Sequence, residues 1–200
     1  MNAEDKRRDS VKNFLKNWGV LILVLAAILL ARIFVFTPVT VNGHSMDPTL
    51  SDGQRLISSK ISKYERFDII TTKEPEDEER MIVKRIIGMP GDTVKMVNDQ
   101  LTINGKEYDE SYLDEYKEKF ANDKLQNEYS YNESFQIQAE NSTNFTSNFE
   151  YTVPKGNYLV LGDNRLISKD SRIFGLVDEK LVQGKVVFRY WPLTEISLIS

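Results

Sequence analysis

The stretch MIVKRIIGMPGD, Met81 to Asp92, sets one lysine and one arginine inside a run of aliphatic side chains and closes on a Pro-Gly turn. A short run rich in Ile and Val, bounded by turn residues, predicts a strand, and strand alternation puts Lys84 on the same face as Ile82 and Ile86. That face is expected to be the buried one. Arg85, on the other face with Val83 and Ile87, is harder to assign. Working outward, FTPVTVNG (36–43), QRLISSKIS (54–62), FDIITTK (67–73), DTVKMV (92–97), QLTING (100–105), NYLVLGD (157–163) and KVVFRYW (185–191) also read as strands. Turn residues punctuate them at MPGD (89–92), ING (103–105) and VPKGN (153–157). After Thr37 no long segment has helical periodicity, so the predicted class is all-β, mostly antiparallel sheet.

Two hundred residues suffice for one sizeable core. The chain has no cysteine and one histidine, which removes disulfide scaffolds, thiolate catalysis and the usual zinc sites. No Gly-rich phosphate loop or calcium-loop spacing is present, so no cofactor is expected. Residues 1–16 carry five basic side chains against three acidic ones, a net charge of +2. Arg32 is the only charge in residues 17–32, so with −4 overall the remainder carries −7. A body that acidic repels phosphate backbones, and nucleic acid is not expected as a partner.

The run Trp18 to Phe36 is apolar apart from Arg32. As a helix its nineteen residues cover roughly 29 Å, about the thickness of a hydrocarbon core. Arg32 sits near the far end, where its stem can lift the guanidinium to the headgroups, and Trp18, Phe34 and Phe36 suit the interfaces. This predicts a cytoplasmic tail over 1–16, a transmembrane anchor over 17–36 and an extracytoplasmic body over 37–200, with the positive flank kept inside. The alternatives are a cleaved signal, for which the small residues of a cleavage site are missing, and a buried core helix. Between Lys106 and Tyr151 the chain turns polar, with one short helix expected around SYLDEYKEKFANDK (111–124) and little core-forming material after it. This region reads as an insertion or flap, more mobile than the rest. Sequon matches at Asn132, Asn141 and Asn144 are what a polar loop produces by chance.

GHSMDPTL, Gly43 to Leu50, places the single histidine directly before a serine. A serine hydroxyl is a poor nucleophile until a base removes its proton. His44 is a poor base for Ser45 in an extended segment, because neighbouring side chains diverge. A neutral lysine can serve instead, and Lys84 is the candidate because of its aliphatic neighbours. To act near neutrality its pKa must fall from about 10.4 to about 7–8, a change worth roughly 4 kcal/mol that desolvation can supply. The alternative is a lysine whose stem packs on the sheet while its amine reaches water.

Four motifs in order, SMDPTL (45–50), FDII (67–70), VKRIIGMPGD (83–92) and LGDNRLISKDSR (161–172), behind one N-terminal span, closely resemble type I signal peptidases of the Gram-positive, single-span kind. The match runs from the anchor to RYWP (189–192), and only the 106–151 insertion lacks a motif. The resemblance implies a membrane-bound serine endopeptidase that removes signal peptides from exported preproteins after small residues of the Ala-X-Ala type. It implies Ser45 as nucleophile and Lys84 as general base. Ser168 corresponds to a serine that hydrogen-bonds the lysine amine, Asp170 and Arg172 to a supporting charged pair, and Asp163 with Asn164 to a turn that shapes the site. Gly43 stands where some branches place a serine that helps bind the oxyanion, which leaves the Ser45 N–H as the evident donor. Leu166 and Ile167 replace residues that are polar in many relatives, a change expected to alter packing only.

Substrate is expected to add as a strand beside the segment before Ser45 or the one carrying Lys84. Val39, Val41, Met46, Leu50, Ile82 and Val83 are candidate pocket residues, and each could equally be plain core. The expected partners are signal peptides, the lipid bilayer and the export translocon. A self-cleaving Ser-Lys protease of the LexA type, or a tethered module that binds exported chains without cutting them, are the other readings.

Overall fold

The structure, a computed structural model, describes residues 3–127 and 133–199, without the side chains of residues 3–15. The sequon at Asn132 therefore lies outside the described residues. The chain divides into two compact units, Met1–Thr37 and Pro38–Ser200.

The first unit is dominated by one helix, α1 (Ala3–Phe34). The backbone is helical from Ala3 to Phe34, so a single helix runs through both the expected tail and the expected anchor. Its segment Lys16–Phe34 is long and apolar enough to cross a membrane and is nowhere buried in the protein. Leu, Ile, Val and Ala on every side of a helix leave it no polar face to turn toward water.

Strand β1 (Phe36–Thr40) spans the boundary, and the second unit continues with β2 (Arg55–Ser59), β3 (Ile69–Glu74), β4 (Asp77–Gly88), β5 (Thr93–Val97), β6 (Gln100–Ile103), β7 (Lys106–Tyr108), β8 (Phe149–Thr152), β9 (Asn157–Leu161), β10 (Val177–Asp178), β11 (Val182–Trp191) and β12 (Ser197–Leu198). Three helices, α2 (Asp114–Asp123), α3 (Glu133–Asn141) and α4 (Ser171–Phe174), lie among them. One sheet runs β1-β2-β11-β3-β4-β9-β10 with β12 on β11, and a smaller one runs β7-β6-β5-β8. The described registers are antiparallel, so the fold is the expected all-β, mostly antiparallel one.

β4 shows how the local sequence sets burial. Its first half, DEERM, is exposed, while Lys84 to Gly88 are buried on both faces. Ile86 joins Ile70, Tyr158, Val160 and Val177 in one cluster, and Ile87 joins Val94, Leu101 and Leu159 in another beneath the small sheet. The small sheet is folded by two tight hairpins. Asn98 and Asp99 (φ 50° and 63°) link β5 to β6, and Asn104 and Gly105 (φ 52° and 79°) link β6 to β7. Left-handed pairs of this kind match the twist of the strands they join, and Asn, Asp and Gly tolerate that backbone.

The expected insertion needs two corrections. Its first and last residues are strands, β7 and β8, bonded into the small sheet, so the excursion proper is shorter than 106–151. It also has a hydrophobic core of its own. Leu113, Tyr116, Phe120, Leu125, Phe135, Ala139 and Phe145 are buried together, and Leu166 enters from the LGDNRLISKDSR loop with Ile167 packed against it. Phe145 stacks against Tyr116 and Phe120 with ring centroids 6.2 and 5.8 Å apart. Burying an aromatic side chain is worth about 1.5–3 kcal/mol, so this is a packed layer rather than a loose flap.

Candidate active site

The segment from Gly43 to Leu50 is a run of bends and turns, anchored at both sides of Ser45. Met46 and Leu50 are sealed in a core cluster with Val41, Leu56, Ile69 and Val186, and the Leu50 N–H donates to the Met46 carbonyl at 2.9 Å. Ser45 itself is half-buried. Its carbonyl accepts the Asn164 N–H at 3.1 Å, and Thr49 Oγ1 donates to Asp163 Oδ2 at 2.6 Å, so the Gly162–Asn164 turn is fastened to the serine segment twice.

Lys84 reaches this segment from β4. Its side chain is 3% exposed, and Nζ lies 2.8 Å from Ser45 Oγ. Burial lowers its pKa from 10.5 to about 8; Asp170, Asp163 and Glu74 oppose that shift, while the charge on Arg80 assists it. An amine this close to a hydroxyl, and this easily neutralised, can take the hydroxyl proton. His44 behaves differently: Nδ1 lies 2.9 Å from Asp47 Oδ2, within its own turn, and the bond made by Ser45 Oγ goes to Lys84. Burial pushes the Asp47 carboxyl up, with His44 opposing.

Arg80 offers a direct check on the electrostatics. It is largely exposed and pairs with Glu74 at 3.2 Å. In Arg80→Gln the assisting cation is lost, while Glu74, still paired with Lys169, goes on opposing the shift, so the Lys84 pKa rises. Any reaction that needs the neutral amine then has its ascending pH limb moved to higher pH, which a pH–rate profile of the variant beside the parent reads directly.

The loop after β9 forms the wall behind the serine. Gly162 is required there by close approach: a Cβ built on it would overlap Ser168 Oγ and the Ser45 carbonyl oxygen. Asp170 is fully buried, accepts the Gly162 N–H at 3.0 Å and caps α4, and holds both arms of the Arg172 guanidinium at 2.8 Å. Burial would raise its pKa, but Arg172 and the two backbone N–H groups outweigh that and hold it below the usual carboxylate range. Ser168 is brought beside Ser45 across Gly162, yet its Oγ has no hydrogen-bond partner among the described residues, so the expected bond to the Lys84 amine is not made. The two polar ends of the Asn164 side chain are likewise unbonded.

The Gly43 N–H donates to Asp52 Oδ1 at 2.6 Å, and a φ of 85° makes Gly43 a left-handed turn position, which is why glycine suits it. Of the candidate pocket residues, Val41, Met46 and Leu50 are 3% exposed or less and belong to the core cluster. Val39, Ile82 and Val83 are half-buried and still present surface.

The sequence left three arrangements unseen. Arg85 is buried against Asp163, 78 positions away, donating from Nε at 2.9 Å and from a terminal nitrogen at 2.7 Å, with the Tyr112 ring 4.0 Å from its guanidinium carbon. Arg165 is sealed on Glu110 and also donates to Thr146, to Tyr112 and, from Nε at 2.9 Å, to the Gly162 carbonyl. Lys169 joins Glu74 and Glu76, tying the Ser168 loop to the β3–β4 hairpin. Alternation flagged Arg85 only as unassigned, and nothing local marks Glu110.

The family model described as signal peptidase, peptidase S26, matches residues 15–191. A signal peptidase I from Streptococcus pneumoniae serotype 4 is 47% identical over 202 aligned residues, covering 94% of this chain and 98% of that protein. A signal peptidase IB from Staphylococcus aureus is 43% identical over 192, covering 94% and 95%. Among solved structures, a signal peptidase I from Enterococcus faecalis V583 is 37% identical, with a TM-score of 0.48, covering 62% of this chain and 97% of that one.

Proposed function

We propose that this chain, which belongs to the signal peptidase family, peptidase S26, and is a serine endopeptidase that removes signal peptides, works through Ser45 as nucleophile and Lys84 as general base. The 2.8 Å approach of the Lys84 amine to Ser45 Oγ, in a setting that lowers the amine's pKa to about 8, carries this reading. Neutral Lys84 takes the Ser45 proton as Oγ attacks the scissile carbonyl. The ammonium so formed protonates the leaving amine, releasing the mature chain and leaving an acyl-enzyme on Ser45. Lys84, neutral again, takes a proton from the water that attacks the ester, and returns it to Ser45 Oγ as the signal peptide departs.

The Ser45 N–H is the oxyanion donor in this scheme, since the Gly43 N–H is already engaged by Asp52. Ser168 accepts from the Lys84 ammonium once the proton has moved, and Asp170 with Arg172 keeps the Ser168 loop in place. Val39, Ile82 and Val83 are the residues with surface to select small side chains in an Ala-X-Ala substrate bound as an added strand. The apolar segment of α1 anchors the enzyme in the cell membrane with its basic flank in the cytoplasm, and the catalytic body meets preproteins outside as they leave the translocon.

The test is the pH dependence of kcat/KM for a preprotein substrate, measured in detergent from pH 6 to 10. Because the amine must be neutral, activity should rise through a limb centred near pH 8. A flat profile would remove lysine as the base.

A further inference from the structure

Beside the catalytic loop lies a cleft of about 460 Å³, within the size range of ligand sites. Gln138, Thr143, Asn144 and Ser147 form one wall, Ser168 and Arg172 the other, over a floor that includes Leu166. Its far wall belongs to the inserted layer, whose core already holds Leu166, and whose Gln138 donates to the Leu166 carbonyl. The wall is therefore pinned to the catalytic loop.

Three observations bear on what fits there. The cleft lies next to the reaction centre, because Ser168 lines it and also packs against Gly162, which in turn meets the Ser45 carbonyl. Its two cations are neutralised, Arg172 by Asp170 and Arg165 by Glu110, so what it offers a ligand is mainly amide and hydroxyl groups. And Ser168, a buried residue, has an Oγ with no hydrogen-bond partner among the described residues. Uncharged donors and acceptors suit the peptide groups of a chain whose side chains vary from one ligand to the next. The signal half of a preprotein is apolar and is expected elsewhere. The mature half is polar and different in every substrate.

We infer that this cleft is a polypeptide subsite that holds the first residues of the mature chain, on the leaving-amine side of the scissile bond, mainly through main-chain hydrogen bonds. The inference rests on the signal-peptidase reading above and adds a substrate site to it. The inserted layer is then part of substrate binding, and mature-region length contributes to affinity.

Two substrates separate the possibilities: a preprotein with a long mature segment, and a peptide with the same signal-side residues that stops two residues past the cut. Thr143→Trp places an indole in the cleft from an exposed position. It should raise KM for the preprotein about tenfold while leaving kcat, and both constants for the short peptide, near the parent values. Ser147→Trp, entering from the same wall, should give the same split and decides the matter if the first variant is poorly folded. Equal losses on both substrates, no loss on either, or a penalty that follows signal-side length would overturn the proposal. If the unmodified protein cuts neither substrate, the proposed function falls first, and this site with it.

Discussion

Replacing Lys84 by Met should abolish signal-peptide processing and at the same time make the folded protein more stable. The loss follows from the base: with no neutral amine 2.8 Å from Ser45 Oγ, the hydroxyl keeps its proton, and a fall of about 10⁴-fold or more in kcat is expected. The gain follows from burial. A pKa lowered from 10.5 to about 8 means that the charged amine is less favourable inside the fold than in water. Below pH 8 both folded and unfolded chains carry that proton and the full penalty applies; it shrinks as pH rises from 8 to 10.5 and is gone above. At pH 7 the penalty is about 3 kcal/mol, of which Met, similar in shape and apolar, should recover the larger part. Ser45→Ala should match the loss of processing without the gain in stability. Activity assays beside thermal unfolding at pH 7 test both halves, and a Lys84→Met protein that still processes precursor, or that unfolds at a lower temperature, would contradict the account.

Gly162→Ala should cost at least about 100-fold in kcat with KM changed far less. The position is closed on two sides, by Ser168 Oγ and by the backbone carbonyl of Ser45, and that carbonyl cannot swing away as the end of a flexible side chain could. The added methyl must therefore displace the Ser45 backbone, its Asn164 N–H contact, or the Asp170-capped loop. A displacement near 1 Å at a reacting atom is enough for a loss of that size. Single-turnover kinetics with saturating substrate separate this from weakened binding. A variant with parental kcat would mean that the loop yields without moving Ser45.

Much of the fold is legible locally. The strand around Lys84, the hairpin turn at Asn104-Gly105, the α2 helix and the apolar N-terminal segment all announce themselves through periodicity and turn chemistry, which depend on near neighbours in the chain. β7 escapes although the Asn-Gly signal precedes it, because KEY is too short and polar to look like a strand. The core of the insertion escapes because Phe135 and Phe145 are spaced among Asn, Gln and Ser, and only their meeting with Leu113 and Phe120 makes them interior. Ser45 and Lys84 are visible as an unactivated hydroxyl and a lysine among aliphatics, whereas the engagement of the Gly43 amide by Asp52 has no local signal.

By itself the sequence determined a mostly antiparallel β body behind an apolar helix, and it singled out Ser45 and Lys84 as a candidate pair. Tertiary structure alone decided which charges are buried and how they survive there: Arg85 on Asp163, Arg165 on Glu110 from 55 positions away, and Ser45 pressed against Gly162. Periodicity is a property of neighbours along the chain. The free energy of a buried charge is instead set by a partner that folding brings from far along it, and no local pattern encodes that meeting.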